Sequence, residues 1–435
     1  MSYERKRWHT HVFTSTYTAD VSGVCSAMYE LGGMTILHDP SGCNSTYTTH
    51  DEPRWYDSKS LMFVSGLDEM TAVMGDDSVL IRDAVRAAAD LKPRFITLCG
   101  ASIPHIISFD FKGVARLIER ETGIPVLPVA TDGLRSYVSG AGLAFREWIR
   151  RFGDLEDART EDGRPGIKRL EVGKPGNEKP EIGSREDRLR KYGVNLLGVT
   201  PIDFSRQEIV DAMKQAFTDA GIPVNTCFAM GDSFETLTGV YRGAVNVVVS
   251  SAGRIPARFM KGAAGIPFVE GLPLGREMTD RLLAAVRETA ADGKDRRIFE
   301  EPGTGKNGAG PQDAEAGTGA SDTGDGARVP HSTGILVIGE EIFSRTLAAA
   351  LGGEALGAEA LWPSTDEGLD EDILMEKVNA ARLVIGDPLF RTVLRNPETK
   401  FSEFPHEGYS GRIFRDRIPV FTGRDFEPED LLVTK

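Results

Sequence analysis

Three cysteines in the first hundred residues have types and positions that could bind a metal. Cys25 lies near the start of the helix-like segment DVSGVCSAMYE, and Cys43 follows an apolar strand and the turn DPSG. Cys99 ends a second apolar strand, directly before a glycine. In a parallel sheet, the carboxyl ends of the strands carry the ligand site. Three thiols at one such edge would be soft donors for an iron–sulfur cluster.

The same cysteines also have a plainer interpretation, as small apolar residues of the core. Free cysteine is among the most buried residue types, and no CxxC pair marks a metal site here. Cys43 and Cys99 differ from simple core residues because each is set in a glycine-bearing turn. A metal or redox site and a structural role therefore both stay open on residue chemistry alone. Cys227 lies inside an apolar strand and is interpreted as core.

The composition disfavours several classes of function. A net charge of -14 on 435 residues argues against nucleic acid as the main partner, because phosphate binding needs a basic surface. Four cysteines are no disulfide framework in a chain of this length, so a cytoplasmic location is expected. The first residues, MSYERKRWHTHVF, lack the apolar centre of a signal peptide. No run approaches the roughly 20 apolar residues of a membrane span, so no membrane contact is expected.

Short apolar runs alternate with amphipathic helices, which predicts the α/β class with parallel sheets. Among the predicted elements are a helix at 78–89 and strands at 335–338 (ILVI) and 418–421 (IPVF). Three α/β units are expected, at 1–153, 193–298 and 332–435. Residues 154–192 are rich in charge, Pro and Gly and predict a solvated connection or an edge hairpin. Residues 299–331 predict a flexible linker or surface loop. The GTGKN segment within that linker lacks the spacing and the Ser or Thr of a P-loop, so no ATP-hydrolysing site is expected in this chain.

Segments spread over much of the chain resemble, in order, those of the nitrogenase component 1 family. This family includes the molybdenum–iron protein subunits and the related tetrapyrrole reductases. The matching segments are HDPSGC (38–43), VMGDDSVLIRDAV (73–85), ITLCGASIPHIISFDF (96–111), GIPVLPVATDGL (123–134), the strand, helix and GIP connection at 246–275, and FPHEGYSG (404–411).

The resemblance implies three Rossmann-like α/β domains around a central cleft. It also implies an iron–sulfur cluster, 4Fe–4S or larger and P-cluster-like, shared at the interface of two homologous subunits. In this chain its ligands would be Cys25, Cys43 and Cys99. The implied assembly is a homodimer, heterodimer or heterotetramer. Electrons would come from a separate ATP-hydrolysing iron–sulfur reductase, which agrees with the missing P-loop.

Two departures from the family pattern concern a second metal cofactor in the cleft. The family's cofactor cysteine follows a strand that here reads NVVV, and Ser250 takes its place. A hydroxyl is a poor iron ligand compared with a thiolate. The family's cofactor histidine lies just before Tyr-Ser-Gly, and His406 is displaced from that position by one residue. A second metal cofactor, if bound, is therefore not expected to be held as in nitrogenase.

The candidate reactive side chains lie near the cysteine segments and in the C-terminal glycine-rich loop. They are His38, His50, Asp51, Arg54, His105 and His406, with His50, His105 and His406 as the candidate catalytic residues. Histidine titrates near neutral pH and can supply protons. The alternative for residues 50–55 is a capping or docking loop at the subunit interface, and for His406 a structural role.

Three hypotheses of function follow. The first is a nitrogenase-like reductase subunit that passes low-potential electrons to a small substrate other than dinitrogen. The second is a scaffold on which a metal cluster is assembled. The third is the cofactor-free partner subunit of a heteromeric reductase, with the catalytic cleft in a sister subunit.

Overall fold

The computed structural model describes residues 19–40, 52–155, 184–300, 334–353, 358–361 and 371–433. These residues form three sheets, in which every strand pair is parallel. Helices connect the strands, so the predicted α/β class is confirmed. The exact unit boundaries stay predictions, because the segments 156–183 and 301–333, which contain most of both predicted connections, lie outside the described residues.

The first unit contains a four-stranded sheet in the order β2-β1-β3-β4. Its strands are β1 (Met34–His38), β2 (Leu61–Val64), β3 (Ile96–Gly100) and β4 (Val126–Pro128). Its helices are α1 (Asp20–Met28), α2 (Glu69–Met74), α3 (Ser78–Leu91), α4 (Ser102–Ile106), α5 (Phe111–Thr122) and α6 (Tyr137–Phe152). β1 and β3 are buried along their whole length, as expected for the central strands of a covered parallel sheet.

The second unit contains a five-stranded sheet in the order β6-β5-β7-β8-β9. Its strands are β5 (Val194–Leu197), β6 (Val224–Cys227), β7 (Val245–Val248), β8 (Phe268–Glu270) and β9 (Arg296–Arg297). Its helices are α7 (Arg185–Lys191), α8 (Pro201–Phe204), α9 (Gln207–Asp219), α10 (Phe234–Thr238), α11 (Arg254–Ala264) and α12 (Gly275–Asp292). α7 lies within the predicted connection 154–192, so the end of that connection is a helix with a Ser184 capping box.

The third unit contains a four-stranded sheet in the order β11-β10-β12-β13. Its strands are β10 (Ile335–Ile338), β11 (Ala358–Leu361), β12 (Leu383–Gly386) and β13 (Lys400–Glu403). Its helices are α13 (Glu341–Ala350), α14 (Glu371–Ala380) and α15 (Glu407–Ser410). Short 3₁₀ helices follow at Pro388–Val393, Gly411–Arg417 and Pro428–Leu432.

One predicted strand in the third unit is wrong. Residues 418–421 form no strand; they follow the 3₁₀ helix Gly411–Arg417. Pro419 has no N–H for a strand ladder. The apolar side chains Ile418 and Phe421 are buried instead against the core shared by the units.

A single core joins the three units, and the crossing of α1 and α6 lies within it. Their backbones touch at two glycines: an added Cβ at Gly23 would lie 1.9 Å from the Tyr137 carbonyl oxygen, and one at Gly140 1.8 Å from the Asp20 carbonyl oxygen. This crossing fixes where α1 places Cys25. No helix in the described part of the chain is both long enough and apolar enough to cross a membrane.

Candidate cluster site and cleft

Of the three predicted cluster ligands, Cys99 lies at the carboxyl edge of the first sheet and Cys25 lies on α1, in the same core cluster. Cys99 is the fourth residue of β3, and its thiol donates to the Ile36 carbonyl oxygen at 3.8 Å. Cys25 is the sixth residue of α1, further along the helix than its sequence pattern indicated. Both side chains are fully buried in the same core cluster. Cys43 lies in the segment 41–51, outside the described residues, together with His50 and Asp51.

The loop after β4 holds the end of β3 and the start of α1 in place. The Thr131 hydroxyl donates to the Gly100 carbonyl oxygen at 2.5 Å and accepts from the Gly100 N–H at 3.0 Å. The Asp20 carboxylate accepts the Asp132 and Gly133 N–H groups, each at 2.9 Å. β3 and α1, which carry the two thiols, are thus bonded to one loop.

The electrostatics of the thiols suit a metal-bound state better than a free thiolate. Burial raises the pKa of both Cys25 and Cys99, and the charge of Cys99 raises that of Cys25 further. Without a cation they stay neutral, whereas a bound metal would replace their protons.

The donor set fits an iron–sulfur cluster only in part. Thiolates are the ligands such clusters use, and Cys25 and Cys99 supply two. Among the described residues, no group of three His, Cys, Asp or Glu side chains is placed to hold a metal ion. A cluster here would therefore need Cys43, a partner's thiols, or both.

Arg54 forms hydrogen bonds to groups of both the first and the second unit. Its Nε donates to Glu52 Oε1 at 2.6 Å and its Nη1 to Glu30 Oε2 at 2.9 Å. Its other bonds reach the carbonyl oxygens of Ser26, at 2.8 Å, and of Ala229 in the second unit, at 3.2 Å. These contacts give Arg54 a structural role within the chain, and the alternative of a docking loop at the subunit interface for residues 50–55 stays a prediction.

The candidate histidines of the first unit lie apart. His38 stacks on Phe109 with ring centroids 4.3 Å apart, and its Nδ1 is 2.9 Å from the Ser65 hydroxyl. Burial lowers its pKa to about 4, so it is neutral at pH 7 and holds no extra proton there. His105 is exposed on α4.

The low pKa of His38 predicts an acid-sensitive stability. The unfolded chain takes up a proton near pH 6.5, but the folded chain only near pH 4. The contribution of His38 to the free energy of unfolding is therefore fully present above about pH 6.5 and is lost as the pH falls from 6.5 toward 4. Wild type should lose about 2–3 kcal/mol more than His38→Gln between pH 7 and pH 4.5, measured by urea unfolding. Equal losses in the two proteins would contradict this origin.

A second candidate site is a cavity between the second and third units. Its empty volume is about 340 Å³, including its opening to solvent. It lies at the carboxyl ends of strands from both sheets, where ligands bind in open α/β folds. Aromatic side chains form much of its wall: Phe204, Phe343, Phe404 and Phe421. The rings of Phe343 and Phe404 have centroids 4.6 Å apart, so this wall is closely packed.

Three titratable side chains meet in this cavity, each just after a strand. They are Asp203 on α8, Glu340 after β10 and His406 after β13. Asp203 Oδ1 accepts from the Tyr137 hydroxyl of the first unit at 2.7 Å and lies 3.4 Å from His406 Nε2. All three units therefore contribute to this polar cluster.

Glu340 is the most perturbed of these groups. Its Oε1 accepts from the Ser251 N–H at 2.7 Å and its Oε2 from the Phe343 N–H at 3.0 Å. Burial raises its pKa to about 7, and the charge of Asp203 adds to this. A carboxyl group that is part-protonated at neutral pH can give and take a proton.

His406 and Ser250 are both in the cavity, but their bonds differ from those of a metal-binding pair. His406 Nδ1 accepts from the Gly408 N–H at 3.0 Å, which leaves the neutral ring's proton on Nε2, facing Asp203. The Ser250 hydroxyl donates to the Gly198 carbonyl oxygen at 2.7 Å. The cleft residues therefore do not fit a cofactor held by one thiolate and one imidazole.

The sequence analysis missed Asp203, Glu340 and Tyr137. Asp203 and Glu340 each follow a strand of a different unit, in the segments TPIDF and GEE. A search for acidic residues in the loop and first helical turn after every predicted strand would have found both carboxylates. Tyr137 begins a helix and carries no comparable signal.

The described chain is thus a three-unit α/β protein with two buried thiols in one core cluster and an acidic, aromatic cavity between two units. It belongs to the family of nitrogenase component 1 type oxidoreductases, whose model matches residues 23–380. This confirms the family resemblance seen in the sequence.

Curated relatives match parts of the chain. A light-independent protochlorophyllide reductase subunit from Synechococcus sp. (strain JA-3-3Ab) is 22% identical over 226 residues, which cover 52% of this chain and 40% of that protein. The corresponding protein from Acaryochloris marina (strain MBIC 11017) is 29% identical over 104 residues, covering 24% and 20%. The matches thus span at most two fifths of the length of these two relatives.

A solved structure described as nitrogenase Cp1 at pH 6.5 has a similar fold. It matches with a TM-score of 0.59 at 13% sequence identity and covers 98% of this chain and 92% of that chain. At this identity the match is evidence for the fold alone.

Proposed function

We propose that the chain is a subunit of a nitrogenase-like reductase that holds an iron–sulfur cluster at a subunit interface. Cys25, Cys43 and Cys99 are its ligands, and an ATP-hydrolysing iron–sulfur protein is the electron donor. The bound cluster would supply low-potential electron transfer. The substrate is a small molecule, not dinitrogen, and the proposed location is the cytoplasm. The observation that carries the proposal is the pair of fully buried thiols, Cys25 on α1 and Cys99 at the end of β3, in one core cluster.

The surface beside these thiols supports a homologous partner subunit. Ile103, Ile106 and Ile107 on and after α4, and Leu134 after β4, are 37–77% exposed. The two segments touch, because an added Cβ at Gly133 would lie 2.8 Å from the Ser102 hydroxyl oxygen. Exposed apolar side chains grouped in this way are typical of a protein interface. A partner seated there would cover the edge that carries Cys99.

The cleft supports a substrate other than dinitrogen, because its residues do not suit a nitrogenase-type cofactor. The described residues that line the cavity include no Lys or Arg to pair with a substrate carboxylate. This composition favours a neutral or cationic substrate.

The test is iron and acid-labile sulfide per chain, with an EPR spectrum, on protein purified without oxygen. Wild type and Cys227→Ala should contain the cluster, whereas Cys25→Ala and Cys43→Ala should lose most of their iron and the EPR signal. Cys227 is the matched control because it is also a fully buried thiol, in another sheet. Equal iron in all four proteins would overturn the three-cysteine assignment.

The same preparation separates the alternative functions. A reductase should accept electrons from its ATP-driven partner and turn over, whereas a scaffold should release its cluster to an acceptor protein. A cofactor-free partner subunit should contain the cluster but show activity only when mixed with its sister subunit. Protein that stays free of iron after cluster reconstitution with its partner would make the cysteines structural.

A further inference from the structure

We propose that Glu340, Asp203 and His406 form a proton-donor site that protonates a small neutral molecule as it is reduced in the cavity. The proposal rests on the reductase function above, which supplies the electrons, and adds the residues that supply the protons. It also names the substrate class: an uncharged molecule with a reducible multiple bond.

The geometry shows a site built from separate elements. Asp203 belongs to the second unit, while Glu340 and His406 belong to different segments of the third. Tyr137 adds a hydrogen bond from the first unit and fixes the orientation of the Asp203 carboxylate. Bringing polar groups from three units into one buried place costs desolvation energy, which a purely apolar junction would avoid.

The Nε2 atom of His406, which lines this cavity, has no hydrogen-bond partner among the described residues. His406 is 9% exposed, and its Nε2 makes no hydrogen bond to any described residue, although it lies 3.4 Å from Asp203 Oδ1. Because Nδ1 is occupied by the Gly408 N–H, Nε2 is the nitrogen left to meet a ligand. A substrate atom at this point would contact the imidazole and lie in the space that Glu340 also lines.

Burial, and then the charges around it, explain why Glu340 can hold a proton. The titratable groups near it are Asp203 on α8, His406 before α15 and Tyr137 on α6. Burial raises the pKa of Glu340, and because two carboxyl groups in one low-dielectric cavity cannot both ionise without cost, the charge of Asp203 raises it further, to about 7.

The reaction balances with the groups named. Reduction of a multiple bond X=Y takes two electrons from the ATP-driven reductase and two protons, and gives HX–YH. Glu340 gives the first proton and becomes a carboxylate, takes up a second proton from solvent, and gives that one too. The neutral His406 keeps its Nε2 proton and donates a hydrogen bond that holds the substrate in place. Glu340 is reprotonated from solvent before the next turnover. The lining has two carboxyl groups and no Lys or Arg among the described residues, which disfavours an anionic substrate, and of the neutral and cationic molecules that remain the proposal takes the neutral class.

Infrared titration of the full chain tests the proton-holding pair without any cluster. Wild type should show a protonated carboxyl band at about pH 6 that is lost by about pH 8 and shifts in D₂O. Glu340→Gln should lack this band, and Asp203→Asn should move its titration to lower pH. Glu341→Gln is the control, because the Arg254 guanidinium holds the pKa of that neighbouring carboxyl below its usual range. No band in wild type, or a titration unmoved by Asp203→Asn, would overturn the pair.

Acetylene, a small neutral probe with a reducible bond, tests the delivery of protons. With electrons supplied by the reductase or by Ti(III) citrate, Glu340→Gln should lower ethylene formation roughly a hundredfold and change its pH profile. Reduction of the cluster, followed by EPR, should stay as in wild type. A wild type that takes up electrons but forms no ethylene overturns the substrate class; a Glu340→Gln variant with wild-type rate and pH profile overturns the donor role. A wild type that takes up no electrons contradicts the reductase function instead, and the infrared result still decides the pair.

Discussion

Replacing Arg54 with alanine is expected to lower the free energy of unfolding by about 3–5 kcal/mol. The guanidinium is 11% exposed and bonds to the Glu52 carboxylate, which is fully buried, and to Glu30. Without Arg54, the Glu52 carboxylate would be left buried without its cationic partner. The tie from α1 to the Ala229 carbonyl oxygen of the second unit would also be lost. Urea unfolding monitored by circular dichroism measures the change.

Arg120→Ala is the matched control for this substitution. Arg120 also pairs with a glutamate, Glu121, but its side chain is 70% exposed. An exposed pair of this kind contributes between 0 and about 1 kcal/mol. If Arg54→Ala destabilised the chain no more than Arg120→Ala does, the role of Arg54 as an inter-unit tie would be wrong.

Arg54 also shows where sequence reasoning reached its limit. Its nearness to Cys43 in the chain made it a candidate for a reactive cleft. Its partners Glu30 and Ala229 are 24 and 175 residues away in sequence. Apolar periodicity predicts elements, but it does not say which polar groups meet across units.

The elements themselves were largely predictable. The run ILVI predicts β10 at its observed bounds, and the amphipathic pattern from Ser78 predicts α3 to within two residues. α12 was missed, although it is 18 residues long. Its many charged residues weaken the apolar signal, and its stability comes from packing of one face against the sheet. Residues 418–421 gave the opposite error: they are apolar because they pack in the core, not because they form a strand.

The two candidate sites were predictable to different degrees. Cysteine is rare and chemically distinctive, so Cys25 and Cys99 stood out before any fold was known, and the structure brings both to one core. Aspartate and glutamate are common on surfaces, so Asp203 and Glu340 become distinctive only once their burial is known. The acidic cavity forms only when the three units pack together, so it is hard to predict from local sequence patterns.

Gly140→Ala is expected to destabilise the chain by about 3 kcal/mol, at the upper end for overpacking. The new methyl group would lie 1.8 Å from the Asp20 carbonyl oxygen, so α1 must move away. No side-chain rotation can relieve this clash, because both groups are fixed to backbones. A shift of α1 also displaces Cys25, so the proposed cluster should be bound less well than in wild type. Thermal or urea unfolding gives the first effect, and iron per chain gives the second.

Gly262→Ala is the control for Gly140→Ala, because it makes the same chemical change in another helix. Gly262 lies in α11 and has no atom within 4 Å of an added Cβ. Alanine is preferred over glycine inside a helix, so this variant should gain about 0.5–1 kcal/mol. If Gly140→Ala lowers the free energy of unfolding and Gly262→Ala raises it, the loss in Gly140→Ala comes from the contact between helices and not from helix propensity. A Gly140→Ala protein as stable as wild type would mean that α1 and α6 do not cross in backbone contact, and the placement of Cys25 would need to be revised.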